Sequence, residues 1–201
     1  MKLHWSPRSP FVRKVMIAAS ELGVEPRIHR MRNVVQQPDL NPVVMMDNPL
    51  NKIPTLILDD GTALIDSRVI CEYLDGLHGG AMLFPQGAER WPALRWQALA
   101  DGILEQEVLW RNERNRDAGE RSSAFIRCYR EKVIAGLDRL EAESGALEAA
   151  PYAIGHITIG CLLAYTDFRF DELAWRVGRA GLARWYAGFA ERPAVLAHPI
   201  A

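Results

Sequence analysis

Apolar and polar positions follow two rhythms along this chain. Up to about residue 78, short apolar runs of strand length alternate with stretches of helical period; from about residue 89 onward the pattern is helical throughout. In the first part, residues 2–5 read as a short strand. Pro10 fits a first helical turn, where its missing N–H costs nothing, and Phe11, Val12, Val15, Met16, Ala19 and Leu22 form one apolar stripe that Gly23 ends. Residues 26–31 predict a second strand. Residues 34–46 fit neither period, because Pro38 and Pro42 break any long helix. Residues 55–58 form a strand, Asp59-Asp60-Gly61 a turn, and residues 63–65 the returning hairpin partner. Asp66 and Ser67 are good N-caps for a helix on which Val69, Ile70, Tyr73, Leu74 and Leu77 face one way. The order β-α-β-(α)-β-β-α describes a compact α/β sheet with its first strand inside.

The second part predicts a helical bundle, with helices over residues 89–117, 122–143 and 181–191, the last stopped by Pro193. Residues 157–165 are apolar nearly all round, so that helix belongs at the bundle centre. Mixed charges over residues 111–132 read as a solvated face with pairs such as Glu107–Arg111 and Arg127–Glu131. Between the halves, residues 79–88 hold three of the glycines and a proline and make the best linker. The reading is therefore a domain over 1–78, a linker over 79–88 and an all-helical domain over 89–201.

Charge and composition narrow the classes. With 24 Lys plus Arg against 25 Asp plus Glu, the chain lacks the electrostatic footprint of a nucleic-acid binder. The 3 cysteines, Cys71, Cys128 and Cys161, are far apart and make no disulfide framework or CxxC pair, and the 5 histidines show no ligand spacing, so no structural metal site is expected. The run Met1-Lys2-Leu3-His4-Trp5-Ser6-Pro7 has no apolar leader core, and the longest uncharged run, residues 149–166, is broken by Pro151, His156 and glycines. The expectation is a cytoplasmic protein with no membrane span.

Three features of the first part carry candidate chemistry. Ser9 stands at the mouth of the first helix, whose free N–H groups and positive dipole end suit an anion; read structurally, it is an N-cap. Asn51-Lys52-Ile53-Pro54-Thr55 puts a proline at a strand start. If the Ile53–Pro54 bond is cis, the Ile53 backbone turns outward and can pair with an extended peptide; a trans proline on an edge strand is the ordinary alternative. Asp66-Ser67 opens the third helical stretch and is again readable as plain capping.

Taken together, these segments resemble the glutathione S-transferase family over nearly the whole chain. The resemblance rests on Ser6-Pro7-x-Ser9-Pro10-Phe11-Val12-Arg13-Lys14-Val15, on Asn48-Pro49-Leu50-Asn51-Lys52-Ile53-Pro54-Thr55-Leu56, and on Leu64-Ile65-Asp66-Ser67-x-x-Ile70-x-Glu72-Tyr73-Leu74. Leu99-Ala100-Asp101-Gly102-Ile103 and Tyr165-x-Asp167-Phe168-Arg169-Phe170 look like a bacterial subgroup. The resemblance implies a thioredoxin-like N-terminal domain followed by an all-α bundle. It implies a detoxifying enzyme that conjugates glutathione, as co-substrate, to small hydrophobic electrophiles. At the matching positions, Ser9 would hydrogen-bond the glutathione sulfur and Ile53, ahead of a cis Pro54, would pair with the cysteinyl unit. Asp66 and Ser67 would hold the γ-glutamyl end and Lys52 the glycyl carboxylate. Trp110, Arg111 and Arg114 are candidates for the electrophile wall, with a solvated face the alternative for the arginines. A homodimer is implied, with no nucleic-acid or membrane partner.

Two departures bear on this. Ser9 occupies the place of the reactive cysteine of thiol-transferring relatives, which disfavours reductase chemistry, and Trp5 stands near the place of a first-strand tyrosine. Relatives start the central helix with Ser/Thr-x-x-Asp; here the matching residues are Ala153 and His156, so both cap side chains are missing and some neighbour must compensate. Two other readings remain: a glutathione-fold module that binds without turnover, and a glutathione-dependent dehalogenase, isomerase or peroxidase.

Overall fold

The computed structural model describes residues 1–201, which divide into two compact units: Met1–Arg90 with Pro193–Ala201, and Trp91–Arg192.

The first unit is built on a mixed four-stranded sheet. β1 (Lys2–Trp5) leads to α1 (Pro10–Glu21), and β2 (His29–Arg32) returns parallel to β1, with Lys2 opposite His29 and Trp5 opposite Arg32. The expected second strand is split: Pro26 lies in a 3-10 turn over Glu25–Arg27, and only the residues beyond it pair. A short α2 (Pro42–Asp47) follows, started by Asn41, whose Oδ1 accepts the N–H groups of Val43 and Val44. Pro42 thus opens this helix rather than breaking one. β3 (Thr55–Ile57) runs antiparallel to β1, and β4 (Ala63–Leu64) closes a hairpin on it, giving the order β2-β1-β3-β4. Gly61, at φ 88, makes the turn that Asp60 braces by accepting the Thr62 N–H at 2.8 Å. α3 (Ser67–His78) then packs on α1.

Two stripes differ from the sequence reading. On α3, Ile70 and Leu74 are buried, but Val69 is 47% exposed. On α1, burial runs all round from Val12 to Ala19, Arg13 and Lys14 included, because α3 covers one side and a C-terminal helix another. The residues after α3 are anchored: Leu83 and Phe84 are buried, and the buried Asp75 accepts the Leu83 N–H at 2.8 Å.

The second unit is all helical. α4 (Arg90–Arg114), α5 (Ser123–Ala142), α6 (Ser144–Ala149), α7 (Ile154–Arg169) and α8 (Ala180–Ala190) make it up. α7 is buried from Ile154 to Thr166, as its all-round apolar surface requires. Gly160 lets it lie directly on the Phe189 ring; a Cβ there falls inside van der Waals contact with that ring. Glu107 is not part of a solvated face. It is fully buried, and Thr166 Oγ1 donates to its Oε1 at 2.6 Å. Pro193 begins a further short helix, α9 (Pro193–Leu196), which packs on α1, so the last nine residues return to the first unit. No helix is long and apolar enough to cross a membrane.

The start of α7 shows how the missing cap is replaced. His156 Nδ1 accepts the Ala153 N–H at 3.1 Å, the bond an N3 carboxylate makes in a capping box, and Nε2–H donates to the Leu147 carbonyl at 3.0 Å. This pair of bonds needs a neutral ring, and burial lowers the imidazole pKa below its usual 6.5.

Candidate functional site

Strand register determines what meets at one end of the sheet. His4 lies opposite Thr55, and Leu56 opposite Leu64. Continuing those ladders past their last pairs brings three turns to the same end. They are the Ser6–Ser9 turn that leaves β1, the Ile53–Pro54 dipeptide that enters β3, and the Asp66 turn that leaves β4. β2, parallel to β1, also ends there.

Ser9 is the half-buried N-cap of α1. Its Oγ accepts the Val12 N–H at 3.3 Å and its own N–H donates to Ser6 O at 3.3 Å. A hydroxyl has two lone pairs and one proton, so capping leaves the O–H free to donate outward. The Ile53–Pro54 peptide is cis, as is Ile65–Asp66. Pro54 is buried, and no backbone hydrogen bond of Ile53 is formed within the protein. Lys52 is exposed beside it. Asp66 is exposed and caps α3 by accepting the Arg68 N–H at 2.8 Å, while Ser67 is buried in the first turn.

A polar scaffold that the sequence reading missed holds these turns. His4, fully buried on β1, lies between two partners: Nε2–H donates to Asp47 Oδ2 at 2.8 Å, and Nδ1 accepts from Asn33 Nδ2 at 2.8 Å. Asn33 thus ties the exit of β2, and Asp47 the end of α2, to the same ring. Asn41 Nδ2 donates to Val34 O at 3.0 Å, and Asn41 N–H donates to Asn51 Oδ1 at 3.1 Å. Asn48 Nδ2 donates to both Lys52 O and Thr55 Oγ1 at 3.0 Å, clamping the chain on either side of Ile53–Pro54. Only Asn48 and Asn51 carried a sequence signal, as members of the proline motif. A cavity of about 380 Å³ lined by Val34, Gln36, Asp39, Leu40, Asn41 and Pro42 opens beyond β2.

The other three predicted residues lie in the second unit. Trp110 is buried and stacks on Phe170 at 4.3 Å between centroids. Arg114 lies over the Phe170 ring at 5.3 Å and pairs with Glu172 at 2.5 Å. Arg111 is half-buried beside Tyr165; burial raises the phenol pKa while Arg111 pulls it back. One turn earlier, burial pushes the Glu107 carboxyl up to about 8, opposed by the Thr166 hydrogen bond, so it holds its proton at neutral pH. This stretch of α4 therefore carries a buried neutral acid, a buried indole, the half-buried Arg111 and an Arg114 already paired with Glu172.

Comparison with known proteins gives the family. Residues 3–82 match the family described as glutathione S-transferase, N-terminal domain. The chain is 32% identical over 187 residues to an uncharacterized GST-like protein, YibF, of Escherichia coli K12, across 92% of this chain and 91% of that one. A crystal structure of a glutathione transferase family member from Pseudomonas fluorescens Pf-5 with bound glutathione superposes with a TM-score of 0.96 at 38% identity, covering 100% of this chain and 98% of the other. A second crystal structure of a glutathione transferase family member from Pseudomonas fluorescens Pf-5, with bound S-(propanoic acid)-glutathione, gives 0.89 at 40% identity over 100% of both chains. A glutathione S-transferase from Methylobacillus flagellatus KT with glutathione bound gives 0.88 at 36%, over 100% and 99%.

Proposed function

Since this chain belongs to the glutathione S-transferase family, we propose that it conjugates reduced glutathione to small hydrophobic electrophiles, with the Ser9 hydroxyl holding the glutathione sulfur as thiolate. The sulfur attacks the electrophilic carbon, forming an S–C bond. In a displacement the leaving group departs with its electron pair; in an addition a proton is taken up at the neighbouring carbon. Ser9 is a hydrogen-bond donor here and never the nucleophile. Ile53 pairs its backbone with the cysteinyl unit beside Pro54. Asp66 and the start of α3 at Ser67 take the γ-glutamyl ammonium and carboxylate, and Lys52 takes the glycyl carboxylate. Trp110, Arg111 and Arg114 serve the electrophile. The ligand S-(propanoic acid)-glutathione in the Pseudomonas fluorescens relative is a thioether bearing a carboxylate, a group for which Arg111 supplies complementary charge. We further propose a cytoplasmic homodimer with a detoxifying role.

The observation that supports this reading most is the shared sheet end of Ser9, Ile53 and Asp66. The energetics are sufficient. Lowering a thiol pKa of about 8.5 by two units takes about 2.7 kcal/mol. A hydrogen bond to a charged group supplies about 1.5–3 kcal/mol, and a helix N-terminus adds about 0.3–1. No general base is needed.

The test is steady-state conjugation of glutathione to a chloro-nitroaromatic by wild type and Ser9→Ala, with glutathione binding measured separately by calorimetry. The expected loss in kcat/KM is roughly 10- to 100-fold, the worth of one charge-assisted bond. Equal turnover by the two proteins overturns the role of Ser9. The capping bond from Val12 to Ser9 favours a second reading, in which Ser9 is structural and the protein binds glutathione without turnover. Binding without activity across an electrophile panel, that of a dehalogenase, isomerase or peroxidase included, selects it.

A further inference from the structure

The C-terminal segment returns to the first unit at the helix that carries Ser9. Arg13 is one turn beyond Ser9 on α1, its N–H donating to Ser9 O at 2.9 Å. Its side chain is 8% exposed, and its Nε donates to the His198 carbonyl at 2.7 Å, across 185 positions of sequence. The Arg13 Nη1 has no partner, so this single bond holds the buried fork in place. Ala194 and Val195 bury the preceding turn of α9. His198 Nε2 stands 3.3 Å from the Glu25 carboxylate, just beyond the other end of α1. The segment then reaches forward until the Ala201 N–H donates to Pro7 O at 3.4 Å, two residues before Ser9. The tail therefore brackets the Ser9 turn, touching the chain at Pro7 on one side and at Arg13 on the other.

We propose that Pro193–Ala201 is a strap that positions the Ser9 hydroxyl, with Arg13 as its anchoring residue. The proposal rests on the reading of Ser9 as donor to the glutathione sulfur. Arg13 touches neither substrate nor reacting atoms; it acts through the first turn of α1. A hydrogen bond to a developing charge depends steeply on donor placement, so loosening either contact weakens thiolate stabilisation while the groups that bind the rest of glutathione stay as they are.

The experiment is a pH titration of protein-bound glutathione, followed by thiolate ultraviolet absorbance, on wild type, Ser9→Ala, Arg13→Ala, Arg13→Lys and a chain lacking Ile200 and Ala201. Arg13→Ala is expected to raise the bound thiol pKa by about one unit, tenfold less thiolate below it. kcat should fall in proportion and KM for glutathione hold within about twofold. Arg13→Lys, which keeps a donor for His198 O, should restore most of the shift, and the two-residue truncation should reproduce part of it. If Arg13→Ala does not fold, the truncation, which leaves α9 and Arg13 intact, carries the test. A wild-type thiol pKa in Arg13→Ala, or in the truncated chain, overturns the strap while Ser9→Ala still shifts it. No shift in Ser9→Ala overturns the Ser9 reading and the strap with it.

Discussion

Glu107 is the residue whose environment most alters its chemistry. Desolvation holds its proton to about 8 against an ordinary value of 4.5. The unfolded chain releases that proton at the lower pH, so the native state binds more protons in between. The stabilisation is complete below pH 4.5 and is lost as pH rises through 8. Glu107→Gln keeps an acceptor for Thr166 and removes the titration. Unfolding free energies from urea denaturation should match wild type near pH 4.5 and exceed it above pH 8, by on the order of a few kcal/mol. Parallel values for the two proteins across that range would disprove the buried-acid account. A pattern-based reading placed Glu107 on a wet surface because its partner, Thr166, is 59 residues away. Arg13 and His4 were illegible for the same reason: nothing near either residue announces a partner at 198 or 47. Ser9, Pro54 and Asp66 were legible because caps and X-Pro bonds are local chemistry.

At the scale of the element, the start of α7 depends on a neutral His156. Because its pKa is lowered by burial, the stability it contributes is present above pH 6.5 and declines as pH falls below that value. His156→Ala leaves the Ala153 N–H and the Leu147 carbonyl without their partner and should cost about 1–3 kcal/mol at pH 7.5, measured by denaturant unfolding. His156→Ala should also flatten the acid limb between pH 6.5 and 5. Further along the helix, Gly160→Ala drives a methyl into the Phe189 ring. A loss of about 1–3 kcal/mol is expected, and restoration by the double variant with Phe189→Leu would locate the strain. Most element starts were readable in advance, since N-caps and prolines act over a few residues. The depth of burial of α1 was not, because it depends on α9, which arrives from the far end of the chain.

For the whole molecule, the proposed homodimer can be tested on the first unit. Val34, Leu40, Val43, Met46 and Leu50 are all exposed within one stretch around α2, and Met46 is 79% exposed. This run of exposed apolar side chains is the surface on which the proposed homodimer is tested. Light scattering should report twice the chain mass. Met46→Glu should raise the dissociation constant at least about tenfold, as a charge placed in an apolar interface does. A wild-type particle of one chain mass removes the dimer. The change of rhythm near residue 79 falls inside the first unit, which runs on to Arg90. The return of the last nine residues was not legible, because α9 is too short and ordinary to advertise its destination.

The imidazole on β1 holds both ends of residues 34–46 at once, one nitrogen for Asn33 and the other for Asp47. Neither neighbour can drift alone: replacing Asp47 strands a buried donor, and replacing Asn33 strands the opposite lone pair. Across descendants of this chain, positions 4, 33 and 47 should therefore be inherited as a set, substituted jointly or left untouched.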